Sequence, residues 1–135
     1  MAGCARGGGT VAPASPEAAV RGFLAAVQAN NLGAMSDLWG DQRGPARTYM
    51  DEAELQQRLT VIRSFLQHEQ AEQLESQAGV MPSDGSQRVV QVRLTRKGCT
   101  PVVPFTVMRY GAGWLVTNID LAAAGNPARS CAPPR

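Results

Sequence analysis

Few residues in this chain are suited to chemistry. General acid–base work needs titratable groups within hydrogen-bond reach of one substrate atom. Asp41 and Tyr49, in the polar stretch 40–50, and His68, where a helical pattern gives way to a strand pattern, are the residues of the right type. A single histidine argues against a multi-histidine metal site, so neither a metal nor a cofactor is expected. No Gly-x-Gly-x-x-Gly run opens a helix, and Gly7-Gly8-Gly9 has neither a strand nor a lysine around it, as a phosphate loop would require. A serine triad would have to recruit His68, and nothing sets a serine and an acid beside it. Cys4, Cys99 and Cys131 form no C-x-x-C pair, which leaves thiol redox catalysis without a motif.

The 135 residues are 44% hydrophobic and 18% charged, enough for one domain with a buried core. A formal charge of +2 with no concentrated basic face argues against a nucleic-acid partner. No apolar run approaches the roughly 18 residues of a membrane span. Residues 1–14 are small and glycine-rich and read as a flexible tether. Their opening, M-A-G-C, resembles the end of a bacterial lipoprotein signal, where small residues precede the cysteine that is cleaved at and lipidated. That resemblance implies a lipid on Cys4 and an extracytoplasmic location, at the periplasmic face or the cell surface, with the membrane contacted through the anchor alone. Export would also permit Cys99 and Cys131 to form a disulfide.

The elements follow from periodicity. Ser15, Pro16 and Glu17 supply a cap, a first-turn proline and an acid at the positive helix end, ahead of a stripe of Val20, Phe23, Leu24 and Val27. Asn30 and Asn31 stop this helix. A short second one carries Leu32, Met35, Leu38 and Trp39 and ends at Gly40. After the polar loop, Asp51 and Glu54 start a third helix with its stripe at Leu55, Leu59, Ile62, Phe65 and Leu66. Strands are expected at about 69–78, 87–97, 101–110 and 114–121. The fold class is α+β, with three N-terminal helices on one face of a four-stranded antiparallel sheet.

Register can be argued from side-chain faces. A two-residue Gly98-Cys99 hairpin sets Leu94, Val92 and Val90 opposite Val103, Phe105 and Val107. A three-residue Gly111–Gly113 loop sets Tyr110 opposite Trp114 and Phe105 opposite Ile119. A two-residue loop would instead turn Asn118 and Asp120 into the core, which unpaired polar groups disfavour. This register opposes Arg88 to Arg109, a pair calling for an acid or a bound anion. It sets Arg93 beside Asp120, a surface ion pair. It also gathers Val89, Met108, Tyr110, Trp114 and Val116 on the second face, an apolar patch suited to a homodimer. The last strand heads toward the Gly98-Cys99 turn, and the tail after Leu121 is long enough to bring Cys131 back to Cys99.

S-P-E-A-A-V-R-G-F-L-A-A-V-Q-A-N-N at 15–31, R-V-V-Q-V-R-L at 88–94 and G-W-L-V-T-N-I-D-L at 113–121 together resemble the nuclear transport factor 2-like superfamily. The resemblance spans about residues 15–122 and implies a cone-shaped α+β domain with a curled sheet, leaving 123–135 as a C-terminal tail. It departs from the family at Asn31, where many relatives carry an acid. It also implies a pocket between helices and sheet, lined here by Phe23, Met35, Trp39 and Leu59 with Ile62, Phe105 and Ile119. Two functions are compatible with it. One is a non-catalytic domain binding a small ligand, a peptide or a protein, like small exported lipoproteins of the superfamily. The other is an isomerase- or dehydratase-type acid–base enzyme using Asp41, Tyr49 or His68.

Overall fold

A computed structural model describes residues 12–78, 86–96 and 99–125. Local hydrogen bonding sets where the helices begin. The Ser15 hydroxyl accepts from the Ala18 amide at 3.0 Å and opens α1 (Pro16–Gln28), with Pro16 in the first turn. Asn30 adopts the left-handed conformation at φ 55° and ends it. Asn31 caps α2 (Leu32–Leu38) through its side-chain oxygen and the Ala34 amide. Asp51 caps α3 (Glu52–Leu66) through the Glu54 amide. Glu54 does not complete a reciprocal cap; it pairs with Arg58 one turn on.

The stretch expected as a plain loop holds a miniature hairpin, β1 (Gly40–Asp41) and β2 (Gly44–Pro45), followed by a 3-10 turn at Ala46–Thr48. Gly40 is required there, because a Cβ would lie 2.1 Å from the Gly44 carbonyl oxygen. The main sheet is antiparallel, in the order β3 (Gln70–Ala78), β4 (Gln87–Thr95), β5 (Val102–Tyr110), β6 (Gly113–Ile119). A one-turn helix α4 (Leu121–Ala124), capped by Asp120, follows and runs past the expected domain end at 122.

Two register expectations are corrected. In the first hairpin Arg96 and Cys99 form the closing bridge, and Val90 faces Phe105 while Val92 faces Val103. The pairing is displaced by two residues, an even number, so every side chain keeps its expected face. In the second hairpin Tyr110 pairs with Gly113 and Arg109 with Trp114, a two-residue turn instead of three. A β-bulge at Thr117 then adds one residue to β6 and restores Phe105 opposite Ile119. Asn118 and Asp120 remain exposed, so the tight turn and the apolar wall coexist.

That wall is formed by Val90, Val92, Leu94, Val103, Phe105 and Val107, all fully buried. Helix α1 lies on it through Val20, Phe23 and Val27. Phe23 sits between Phe105, edge-on at 6.4 Å, and Trp39 at 6.0 Å, a geometry that adds to the burial of the rings. The bulge also corrects the dimer patch. Trp114 and Val116 belong to the main core, with Val116 opposite Val107, while Leu115 takes the outer face opposite Met108. Val89, Met108 and Tyr110 keep the outer face, the first two half-buried and the last exposed.

Candidate functional site

The seven residues expected to line a pocket divide into two groups. Phe23, Met35, Leu59 and Phe105 are sealed in the core. Trp39, Ile62 and Ile119 keep a sliver of exposure, and that sliver floors an open groove of about 460 Å³ between α3 and the β6–α4 corner. Glu54, Gln57, Arg58 and Val61 on α3 form one rim, with Asn118 and Leu121 on the other. Val61 is half exposed, the most exposed large apolar side chain described. Its position follows from α3, where Leu55, Leu59, Ile62 and Leu66 take the inner stripe and leave Val61 beside it. The side-chain amides of Gln57 and Asn118 carry no hydrogen bond among the described residues, so donors and acceptors stand open at both rims above an apolar floor.

Asp41 and Tyr49 do come together, through Arg43. The Arg43 guanidinium grips the Asp41 carboxylate, Nη2 to Oδ2 at 2.9 Å, and its backbone N–H donates to Oδ1 at 2.8 Å. The same guanidinium lies over the Tyr49 ring, 3.8 Å from its centre. The Arg43 hydrogen bonds hold the Asp41 carboxyl below its usual range, against a smaller opposing effect of burial. Burial first, then the Asp41 charge, pushes the Tyr49 hydroxyl up. Both shifts oppose acid–base work near neutral pH: the carboxylate becomes a poorer base and the phenol a poorer acid.

His68 lies elsewhere, in a polar cleft of about 700 Å³ between α1 and β3 that also takes in Glu17, Arg21, Gln28 and Glu69. Its Nδ1 donates to the Leu66 carbonyl at 2.7 Å. Gln28 braces the same junction by donating to the carbonyls of His68 and Glu69. Among the described residues, no group of three or more histidine, cysteine or acidic side chains is placed to hold a metal ion.

The arginine expectations are corrected by the register. Arg88 faces Val107, and Arg109 faces Trp114 with its guanidinium 4.8 Å above the indole. They share an end and a face but are not directly opposed. Arg93 pairs with Glu72 across β3 at 2.9 Å instead of with Asp120. Burial pulls the Arg96 guanidinium below its ordinary value, and its Nη1 donates to the Phe65 carbonyl, tying the first hairpin to the end of α3. Cys99 is disulfide-bonded. Cys131, the expected partner, and Cys4 both lie outside the described residues. No helix among the described residues is long and apolar enough to cross a membrane.

Comparison with protein-family models, curated proteins and solved structures returns no match.

The Asp41 clasp carries a pH signature. A folded-state pKa held below the unfolded one stabilises the fold above the unfolded value and is lost as pH falls through the folded value. Acid titration of the melting temperature should therefore show a decline starting near pH 4 and continuing below it. Asp41→Asn should flatten that decline and lower the neutral-pH melting temperature slightly, as a largely exposed pair contributes little. An unchanged acid profile would refute the clasp.

Proposed function

We propose that this chain is a non-catalytic binding domain of an exported, lipid-anchored protein, and that its groove between α3 and β6 takes an apolar side chain of a peptide. The groove carries this reading. Its floor of Trp39, Ile62 and Ile119 offers apolar burial, while the amides of Gln57 and Asn118 stand on opposite rims as open donors and acceptors for a peptide backbone. A concave apolar surface with a few polar groups at its edge is the usual form of a binding site. The separation of His68 from Asp41 and Tyr49, and the direction of the Asp41 and Tyr49 shifts, favour binding over acid–base turnover.

The resemblance to the nuclear transport factor 2-like superfamily supports the same reading. The curl it implies is favoured by two β-bulges, one in β3 between Gln73 and Ser76 and one at Thr117, since bulges bend and twist a sheet. The anchor rests on the M-A-G-C opening, and the Cys99–Cys131 pairing on export together with the bonded state of Cys99.

Val61→Asp tests the groove without touching the core, because Val61 is half exposed. Acetyl-leucyl-leucine amide, titrated while Trp39 and Trp114 fluorescence is followed, should give a saturable change with the native chain. The variant should melt within a few degrees of it, as surface changes usually do, and lose about tenfold in affinity. Equal affinity in both proteins, or no saturable change in the native one, would remove the groove from the account.

A further inference from the structure

The described chain begins at one end of the sheet. The Trp114 amide donates to the Pro13 carbonyl at 2.9 Å, which fastens residues 12 and 13 along the edge of β6. Gly113 permits the approach, since a Cβ there would lie 2.5 Å from the Ala12 Cβ. The tether therefore leaves the domain beside the Tyr110–Gly113 turn. Arg88 and Arg109 occupy this same end, Arg88 one residue into β4 and Arg109 one residue before the end of β5. Both are exposed, and neither has a carboxylate partner among the described residues. Arg109 is held in place over the Trp114 ring. From Cys4 to Ala12 the chain reaches at most about 28 Å when fully extended. Arg6 in the tether and Asp84 in the 79–85 segment lie outside the described residues.

We infer that the sheet end bearing Arg88 and Arg109 rests on the anionic phospholipid headgroups of the membrane to which Cys4 is anchored. The inference depends on the anchored reading proposed above. A short tether brings this end nearest the bilayer, and unpaired guanidiniums close to an anionic surface are attracted to it within about one Debye length. The anchor supplies attachment; the arginines supply orientation. The α3 groove, set away from this end, is left facing solution.

Arginine footprinting on vesicles tests it. The oxidised chain is coupled through the Cys4 thiol to maleimide-headgroup lipid, in vesicles of phosphatidylcholine alone or mixed with phosphatidylglycerol, and labelled with phenylglyoxal. Chemical coupling makes the result independent of lipidation in the cell, which the intact mass of membrane-extracted protein reads separately. Arg88 and Arg109 should label about fivefold more slowly on phosphatidylglycerol vesicles than on phosphatidylcholine, with Arg58 and Arg63 on α3 unchanged. High salt should erase the difference. Arg88→Glu, a change at an exposed position, should return Arg109 toward its phosphatidylcholine rate. Equal rates on both vesicles would overturn the inference, as would uniform slowing of all four arginines.

Discussion

Phe105→Ala should lower the unfolding free energy by about 3–5 kcal/mol and the melting temperature by on the order of 10 °C. Phe105 is fully buried, packs edge-on against Phe23, and pairs with Val90 on one side and Ile119 on the other. Its removal leaves a cavity where the central helix meets the middle of the sheet, a place with little freedom to collapse. Equilibrium urea unfolding gives the number, and Val61→Ala provides the contrast, with an expected cost of about 0.5 kcal/mol or less. The pair of values separates the sealed core from the groove rim. A Phe105→Ala cost below about 1 kcal/mol would mean that the wall is not packed as described.

The second large effect concerns Cys99. If it is bridged to Cys131, the closed loop stabilises the fold by about 3–4 kcal/mol on the chain-entropy estimate. Cys99→Ser and Cys131→Ser should each lower stability by that amount under oxidising conditions, and reductant should lower the native chain to the level of the variants. Peptide mapping without reduction should yield one cross-linked fragment containing both residues. A fragment joining Cys99 to Cys4, or a Cys131→Ser variant as stable as the native chain, would reject the pairing.

The helix boundaries are legible in sequence because each is decided within four residues. Ser15, Asn31 and Asp51 cap through side-chain oxygens to amides three positions on, and Asn30 takes the left-handed turn on its own. Sheet faces are legible for a similar reason: alternation fixes them, and a register error of two leaves them intact. Register itself is not local. Whether a hairpin closes at Arg96 and Cys99 or one pair further along changes no residue's face, so the burial pattern cannot distinguish the two. That single displacement moved Arg88 off Arg109, and Arg93 pairs with Glu72.

The bulge at Thr117 lies further from reach. Face arithmetic requires Ile119 inside and Asn118 outside, and without a bulge only the longer loop satisfies both. No residue type at 117 announces the alternative. Its consequence is functional, because it sends Trp114 and Val116, two of the five residues of the expected dimer patch, into the core. The groove was half legible. Trp39, Ile62 and Ile119 stand out as apolar positions facing the helix–sheet interface, as Phe23 and Leu59 do. Which of them stay covered depends on where α3 ends up relative to the β6–α4 corner, and α4 itself gives no signal beyond Asp120 and three alanines.

The groove's role can be read residue by residue from amide and tryptophan side-chain resonances during titration with acetyl-leucyl-leucine amide. Perturbations should concentrate on Gln57, Arg58, Val61 and Asn118 and on the Trp39 indole, leaving Asp41, Tyr49 and His68 unmoved. Shifts centred on the Asp41–Arg43–Tyr49 clasp or the His68 cleft, with the α3 rim silent, would contradict the account.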